Sequence, residues 1–357
     1  MKLQSHLFCI VVAGLAVLAG CQSNSGQGGG ARETVGLVGA GSTFVNPIMS
    51  RWTANFQQAH PNVQINYQSI GSGAGIQQVK AGTVDFGASD VALNDEQLKT
   101  MPAVIQVPES AGPVCITYNL PDLKEPLKLT AETLSGIYLG TIKKWHDPAI
   151  MKTNPGVELP NSAIAVVHRS DGSGTTGIFT TYLATVNPEW AKKVGASISV
   201  NWPVGLGGKG SEGVTGVVKQ TPGAIGYVEL NYATENHLPV AVVENKAGKF
   251  VAPSAAGATA AIDAAKDALA QDVRKPIVDP PASAAAAYPI SGLTFLIIPK
   301  DGADRSKRQE LKNFVQYILT DGQQISQGLD YSPLPASLSA LDQNLLAQMT
   351  AVGAPLK

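Results

Sequence analysis

From residue 33 onward, short apolar stretches alternate with longer segments whose apolar residues recur every three or four positions. The stretch Val35-Gly36-Leu37-Val38 reads as a strand, and residues 63–70 alternate as a second one. Between them Ile48, Met49, Trp52 and Phe56 fall on one helical face, with Asn46 as the expected cap and Pro47 as the first helical residue. A short helix is expected over 76–80, ending at Gly82, and a strand over 83–86. Residues 127–139 predict a helix and 164–167 a buried strand. Ile178, Phe179, Tyr182 and Leu183 mark the helix that follows. Further strands are expected over 223–230, 239–243 and 293–298, and an alanine-rich helix over 255–274. Leu311, Phe314, Val315, Ile318 and Leu319 give one amphipathic helix by their spacing. Leu338, Leu341, Leu345 and Met349 give the last. Strands alternating with helices predict an α/β fold, and no internal repeat is visible.

The first residues do not fit this pattern. Lys2 followed by an apolar core over 7–18 has the make-up of an export signal, and the core is too short to span a bilayer. It ends in Leu18-Ala19-Gly20-Cys21, which resembles the lipobox of bacterial lipoproteins. That resemblance implies cleavage before Cys21, a lipid on Cys21 and attachment to a membrane. Residues 22–32 are rich in Gly, Ser and Gln and read as a flexible tether.

Composition narrows the function. Of 357 residues 44% are hydrophobic and 15% charged, and the net charge is −1. The chain is therefore globular and long enough for about two domains. It has no basic surplus that would suit nucleic acid. Of its three cysteines, Cys9 and Cys21 lie in the leader, so no internal disulfide framework is expected, and Cys115 reads as a small buried apolar residue.

The chemistry concentrates in loops that join a strand to a helix. Arg169-Ser170-Asp171-Gly172-Ser173-Gly174-Thr175-Thr176 places hydroxyls, glycines and a guanidinium at a helix start. There, backbone N–H groups are unpaired and carry partial positive charge. One such loop reads as a cap for its helix. Gly39-Ala40-Gly41-Ser42-Thr43-Phe44 and Gly71-Ser72-Gly73-Ala74-Gly75 repeat the arrangement, and Asp90 follows a strand end, where open α/β sheets place ligand contacts. Three loops and an aspartate together predict a cradle for a small oxyanion. A fourth glycine-rich stretch, Gly205-Leu206-Gly207-Gly208-Lys209-Gly210-Ser211, fails the nucleotide P-loop pattern. Gly210 follows Lys209, and Pro203 stands where the first glycine should be. It reads as a structural or partner-facing loop.

Taken in order over 35–340, these motifs closely resemble the periplasmic phosphate-binding proteins that serve Pst-type ABC importers. Ile137-Tyr138-Leu139-Gly140, Lys144-Trp145, Pro222-Gly223-Ala224-Ile225-Gly226-Tyr227-Val228-Glu229 and Leu329-Asp330-Tyr331 add to the resemblance. It implies a two-lobed, type II-like periplasmic-binding-protein fold with hinge strands and a ligand cleft between the lobes. One lobe would take 33–110 with 296–357 and the other 111–295, after a signal peptide over 1–20 and a lipidated tether over 21–32. It also implies that Thr43, Phe44, Ser72, Asp90, Arg169, Ser173, Gly174 and Thr175 bind inorganic phosphate, with Asp171 steadying Arg169. The partners would be an importer's permease and ATPase. No cofactor or metal is implied. Asp90 would accept the proton that phosphate carries at neutral pH and sulfate lacks.

Two other readings are weighed. Arsenate, sulfate or molybdate could occupy the same cradle. A phosphatase would need Ser170 or Ser173 as nucleophile with His168 as base. Alternation along a strand turns His168 away from Arg169, and His60, His146 and His237 are scattered, so no nucleophile–base–orienter set is visible.

Overall fold

The computed structural model describes residues 34–356. The expected signal, Cys21 and the tether lie outside the described residues.

Eight strands form the main sheet: β1 (Val35–Gly41), β2 (Val63–Ser69), β3 (Phe86–Ser89), β4 (Val104–Tyr118), β5 (Ala165–Arg169), β6 (Leu206–Gly208), β7 (Ala224–Glu229) and β8 (Ser291–Pro299), in the order β2-β1-β3-β8-β4-β7-β5-β6. At one end β2, β1 and β3 are parallel. At the other, β7, β5 and β6 are parallel. The long strands β8 and β4 run antiparallel to each other and to the strands flanking them, β3 and β7, and so join the two halves. β4 is buried at nearly every residue, as expected of a strand covered on both faces. Its first part pairs with β8 and its last five residues pair with β7. In the β4–β8 ladder Thr294 opposes Ser110 and Phe295 opposes Pro108, so Glu109 is the extra residue of a bulge.

The principal helices are α1 (Asn46–Ala59), α2 (Ser72–Ala81), α3 (Gly174–Val186), α4 (Gly210–Gln220), α5 (Leu230–Glu235), α6 (Ala255–Gln271), α7 (Arg305–Leu319) and α8 (Ala336–Leu346). The apolar faces expected of α1, α3 and α7 are the buried ones. Cys115 packs as a buried thiol in β4.

Several boundaries differ from the periodicity. α1 begins at Asn46, and Val45 takes the cap position without a side-chain bond. α2 begins at Ser72, because Gly71 (φ 91°) makes the turn and the small residues that follow form the first helical turn. The strand expected over 83–86 starts only at Phe86. The stretch 127–139 divides into a two-residue strand, Lys128–Leu129, and a helix, Ala131–Leu139, which Thr130 and Thr133 close with a reciprocal capping box. In α8 the buried line runs through Leu338, Asp342 and Leu346, while Leu341 and Leu345 border a groove beside Leu269. A hydropathy pattern does not place an aspartate on a buried face.

Candidate anion-binding site

Four helix starts meet at this site. After β1 the chain turns through Ser42, Thr43 and Phe44, all buried, into α1. The backbone N–H groups of Thr43 and Phe44 have no acceptor among the described residues. Thr43 Oγ1 lies 2.8 Å from Ser211 Oγ and accepts the Ser211 N–H at 3.3 Å. At the start of α2, Ser72 Oγ accepts the Gly174 N–H at 3.0 Å and the Asp90 N–H at 3.4 Å, which leaves its own proton to donate. At the start of α3, Ser173 Oγ accepts the Thr176 N–H at 3.1 Å and so caps the helix, again with its proton left over. Thr175 N–H, in the unpaired first turn, has no acceptor among the described residues. Gly174 allows the closeness of these loops: a Cβ there would come within 2.6 Å of Asp90 N and Oδ2 and of Ser72 Oγ.

Asp90 directly follows β3 and is 3% exposed. Ser42 Oγ donates to its Oδ1, and Thr175 Oγ1 lies 3.4 Å from its Oδ2. Burial pushes its carboxyl up to about 6, and the Ser42 bond and the charge of Arg169 hold it from going higher. The carboxylate form predominates at neutral pH.

Arg169, the last residue of β5, is buried, and Asp171 holds it bidentately: Nε to Oδ1 at 2.8 Å and Nη2 to Oδ2 at 2.5 Å. Burial works to raise Asp171, but the bonds and charge of Arg169 and the Gly210 N–H outweigh it and leave that carboxyl below its ordinary value. Arg169 N–H donates to Tyr227 Oη at 3.1 Å, which fixes the strand end, and Nη1 reaches Ser211 Oγ at 3.5 Å.

The fourth start is that of α4. The stretch 205–211, expected as a structural or partner-facing loop, instead forms β6 and the first turn of α4, and it turns Gly210 and Ser211 toward the other loops. Ser42 and Ser211 therefore join the predicted set. Ser42 lay inside a motif singled out for its neighbours. Ser211 directly follows the Gly205–Gly210 stretch, whose glycines and failed nucleotide pattern carry no signal for an anion contact. Of the residues expected at the site, Ser72, Asp90, Gly174 and Thr175 are linked by hydrogen bonds, and Thr43 and Arg169, with Asp171 behind it, meet through Ser211.

The nucleophile–base arrangement is not formed. His168 stacks on Trp202, with centroids 4.8 Å apart, and donates from Nδ1 to the Arg169 carbonyl, while Ser170 is exposed. Among the described residues no group of three or more His, Cys, Asp or Glu could hold a metal ion, and no helix is long and apolar enough to cross a membrane.

The PBP superfamily domain matches residues 23–322. A phosphate-binding protein PstS of Xylella fastidiosa is 41% identical over 349 residues, covering 93% of this chain and 94% of that one. The Pasteurella multocida PstS is 42% identical, covering 84% and 86%. The Methanocaldococcus jannaschii PstS is 39% identical, covering 88% and 87%. Among solved structures, a high-affinity periplasmic phosphate-binding protein bound with phosphate superposes with a TM-score of 0.69 at 24% identity, covering 86% and 93%. A phosphate-binding protein from Stenotrophomonas maltophilia gives 0.67 at 18%, covering 87% and 93%. These superpositions give the fold, a mixed α/β arrangement shared with periplasmic phosphate-binding proteins.

Proposed function

This chain belongs to the PstS-type phosphate-binding proteins of the PBP superfamily, and from that premise we propose that it binds inorganic phosphate outside the cytoplasmic membrane and delivers it to the permease and ATPase of an ABC importer. It is a solute-binding protein, not an enzyme. The observation that carries the ligand assignment is the grouping of unspent donors around one buried carboxylate. Ser72 Oγ and Thr175 Oγ1 lie beside Asp90, and in this reading the Thr43, Phe44 and Thr175 N–H groups, the Ser173 hydroxyl and the Arg169 guanidinium would join them around the ligand. Buried donors without partners cost stability, and an oxyanion would satisfy them together. Gly174 N–H, held by Ser72 Oγ, would join them when the serine turns to the ligand.

Asp90 supplies selectivity in this reading. A buried carboxylate needs a proton donor opposite it, which phosphate offers and sulfate does not. Arg169, locked by Asp171, would present its remaining N–H groups to two ligand oxygens. We place the lobe boundaries near 110/111 and 295/296, and the Glu109 bulge, where β4 and β8 lose their regular register, supports a hinge there. Bending at that point would open and close the cleft. The lipobox-like Leu18-Ala19-Gly20-Cys21 supports lipid anchoring at Cys21. Substituting Cys21→Ser should move the protein from the membrane fraction to the soluble exported fraction.

Calorimetric titration of the purified, anion-free protein with phosphate and then sulfate tests the function. Tight phosphate binding without sulfate binding is expected. Tight sulfate binding would reassign both Asp90 and the ligand, and a folded sample that binds neither would overturn the assignment.

A further inference from the structure

The turn that supplies Thr43 and Phe44 N–H is held from behind by three phenols. Tyr67 Oη, from β2, donates to the Ser42 carbonyl at 2.8 Å. Tyr232 Oη, from α5, donates to the Thr43 carbonyl at 2.6 Å. Tyr331 Oη, from the segment before α8, donates to the Phe44 carbonyl at 2.5 Å. Three elements far apart in the chain thus address three consecutive carbonyls.

Each carbonyl shares a peptide plane with the next residue's N–H. The Ser42 carbonyl is conjugated with Thr43 N–H, and the Thr43 carbonyl with Phe44 N–H. A donor on the oxygen draws electron density from the nitrogen, so the N–H at the other end becomes a stronger donor. It also fixes the plane and hence the direction in which the N–H points. The third plane carries Val45 N–H, which donates to Ser42 Oγ at 3.4 Å, and that hydroxyl holds Asp90.

We propose that Tyr67 and Tyr232 are positioning residues that polarise and aim the Thr43 and Phe44 amides at the anion, and that Tyr331 does the same for the Val45 amide that secures Ser42 and Asp90. This rests on the phosphate-binding reading above. Burial pushes all three phenols well above their ordinary value, so each keeps the proton it donates. Tyr331 Oη is also 3.1 Å from Glu229 Oε2. That contact competes with the Phe44 carbonyl for the phenol proton, and burial raises Glu229 well above the usual carboxylate range. Tyr232 has a competitor: Glu212 Oε1 lies 3.0 Å from its hydroxyl.

The competitor provides a test of sign. Tyr232→Phe removes the donor to the Thr43 carbonyl. Glu212→Gln replaces an acceptor with an amide that can donate to Tyr232 Oη and leaves the phenol proton wholly to that carbonyl. Phosphate is titrated into the full-length protein and its Tyr67→Phe, Tyr232→Phe and Glu212→Gln variants, with binding read by calorimetry and the Thr43 and Phe44 amide protons by NMR in the bound state. Tyr232→Phe should weaken binding about fivefold and move the Phe44 amide upfield while that of Thr43 stays. Tyr67→Phe should weaken binding similarly and move Thr43 instead. Glu212→Gln should bind at least as tightly as wild type, with Phe44 shifted downfield. A purely structural role for the phenols would displace both amides together, and that result, or wild-type affinity in both phenylalanine variants, overturns the proposal. Should Tyr232→Phe fail to fold, Tyr67→Phe and Glu212→Gln decide it. If wild-type protein does not bind phosphate, the functional reading fails instead.

Discussion

Asp90 carries a charge that its surroundings oppose. Its folded value near 6 lies above the ordinary carboxylate value of 3.8, so its contribution to stability is complete below about pH 4 and is lost as the pH rises through about 6. Above that range the site holds a buried anion that needs a proton donor; below it, the protonated acid can itself donate and no longer repels sulfate. Phosphate's advantage over sulfate should therefore narrow between about pH 7.5 and about pH 5, as paired titrations would show. Asp90→Asn should narrow it by at least about a hundredfold at neutral pH. Unchanged selectivity in the variant would remove Asp90 from discrimination. Arg169→Lys keeps the charge but loses the two-pronged grip of Asp171 and the planar fork. The expected loss is about 2 kcal/mol, roughly thirtyfold in phosphate affinity; an unaltered affinity would place the guanidinium outside the site. These two residues were legible in the sequence because a strand end and a glycine–hydroxyl loop flank them. Ser211 was not, since its closeness to Thr43 Oγ1 spans 168 positions.

At the scale of elements, local signals succeeded where burial follows chain periodicity and failed where packing overrides it. α1, α3 and α7 bury the faces their spacing indicated. α8 does not: Asp342 is fully buried on it, and neither carboxyl oxygen has a partner among the described residues. Burial pushes this group up to about 8, so the stability tied to its neutral form is complete below about pH 4 and is lost as the pH rises to about 8. Asp342→Leu should raise the melting temperature, with a gain larger by a few kcal/mol at about pH 8 than at about pH 5. Differential scanning calorimetry at the two pH values would show it, and a gain independent of pH would mean that Asp342 ionises in the folded protein as it does in the unfolded chain.

For the whole molecule, ligand binding and folding share one equilibrium. An anion that satisfies donors from four helix starts binds only the folded chain, so phosphate at about 100 times its dissociation constant should stabilise by about 2.7 kcal/mol. That corresponds to roughly 4 °C in thermal unfolding for a chain of this size. Equimolar sulfate should leave the transition where it is, and an equal shift by both anions would mean that the site reads charge alone. Much of this organisation was readable from residues alone: the α/β alternation, the three Gly/Ser/Thr loops, the buried Cys115 and the place of Asp90 after a strand. Each depends on neighbours a few positions apart, where backbone geometry and hydropathy act directly. The joining of two parallel halves through β4 and β8, the Glu109 bulge, the turning inward of Ser211 and the three phenols behind Ser42, Thr43 and Phe44 depend on contacts between distant segments. Tyr331 stands 287 positions from the carbonyl it holds. Such pairings form because buried polar groups must find partners wherever the folded chain brings them, and that is set by packing the whole core rather than by any one segment.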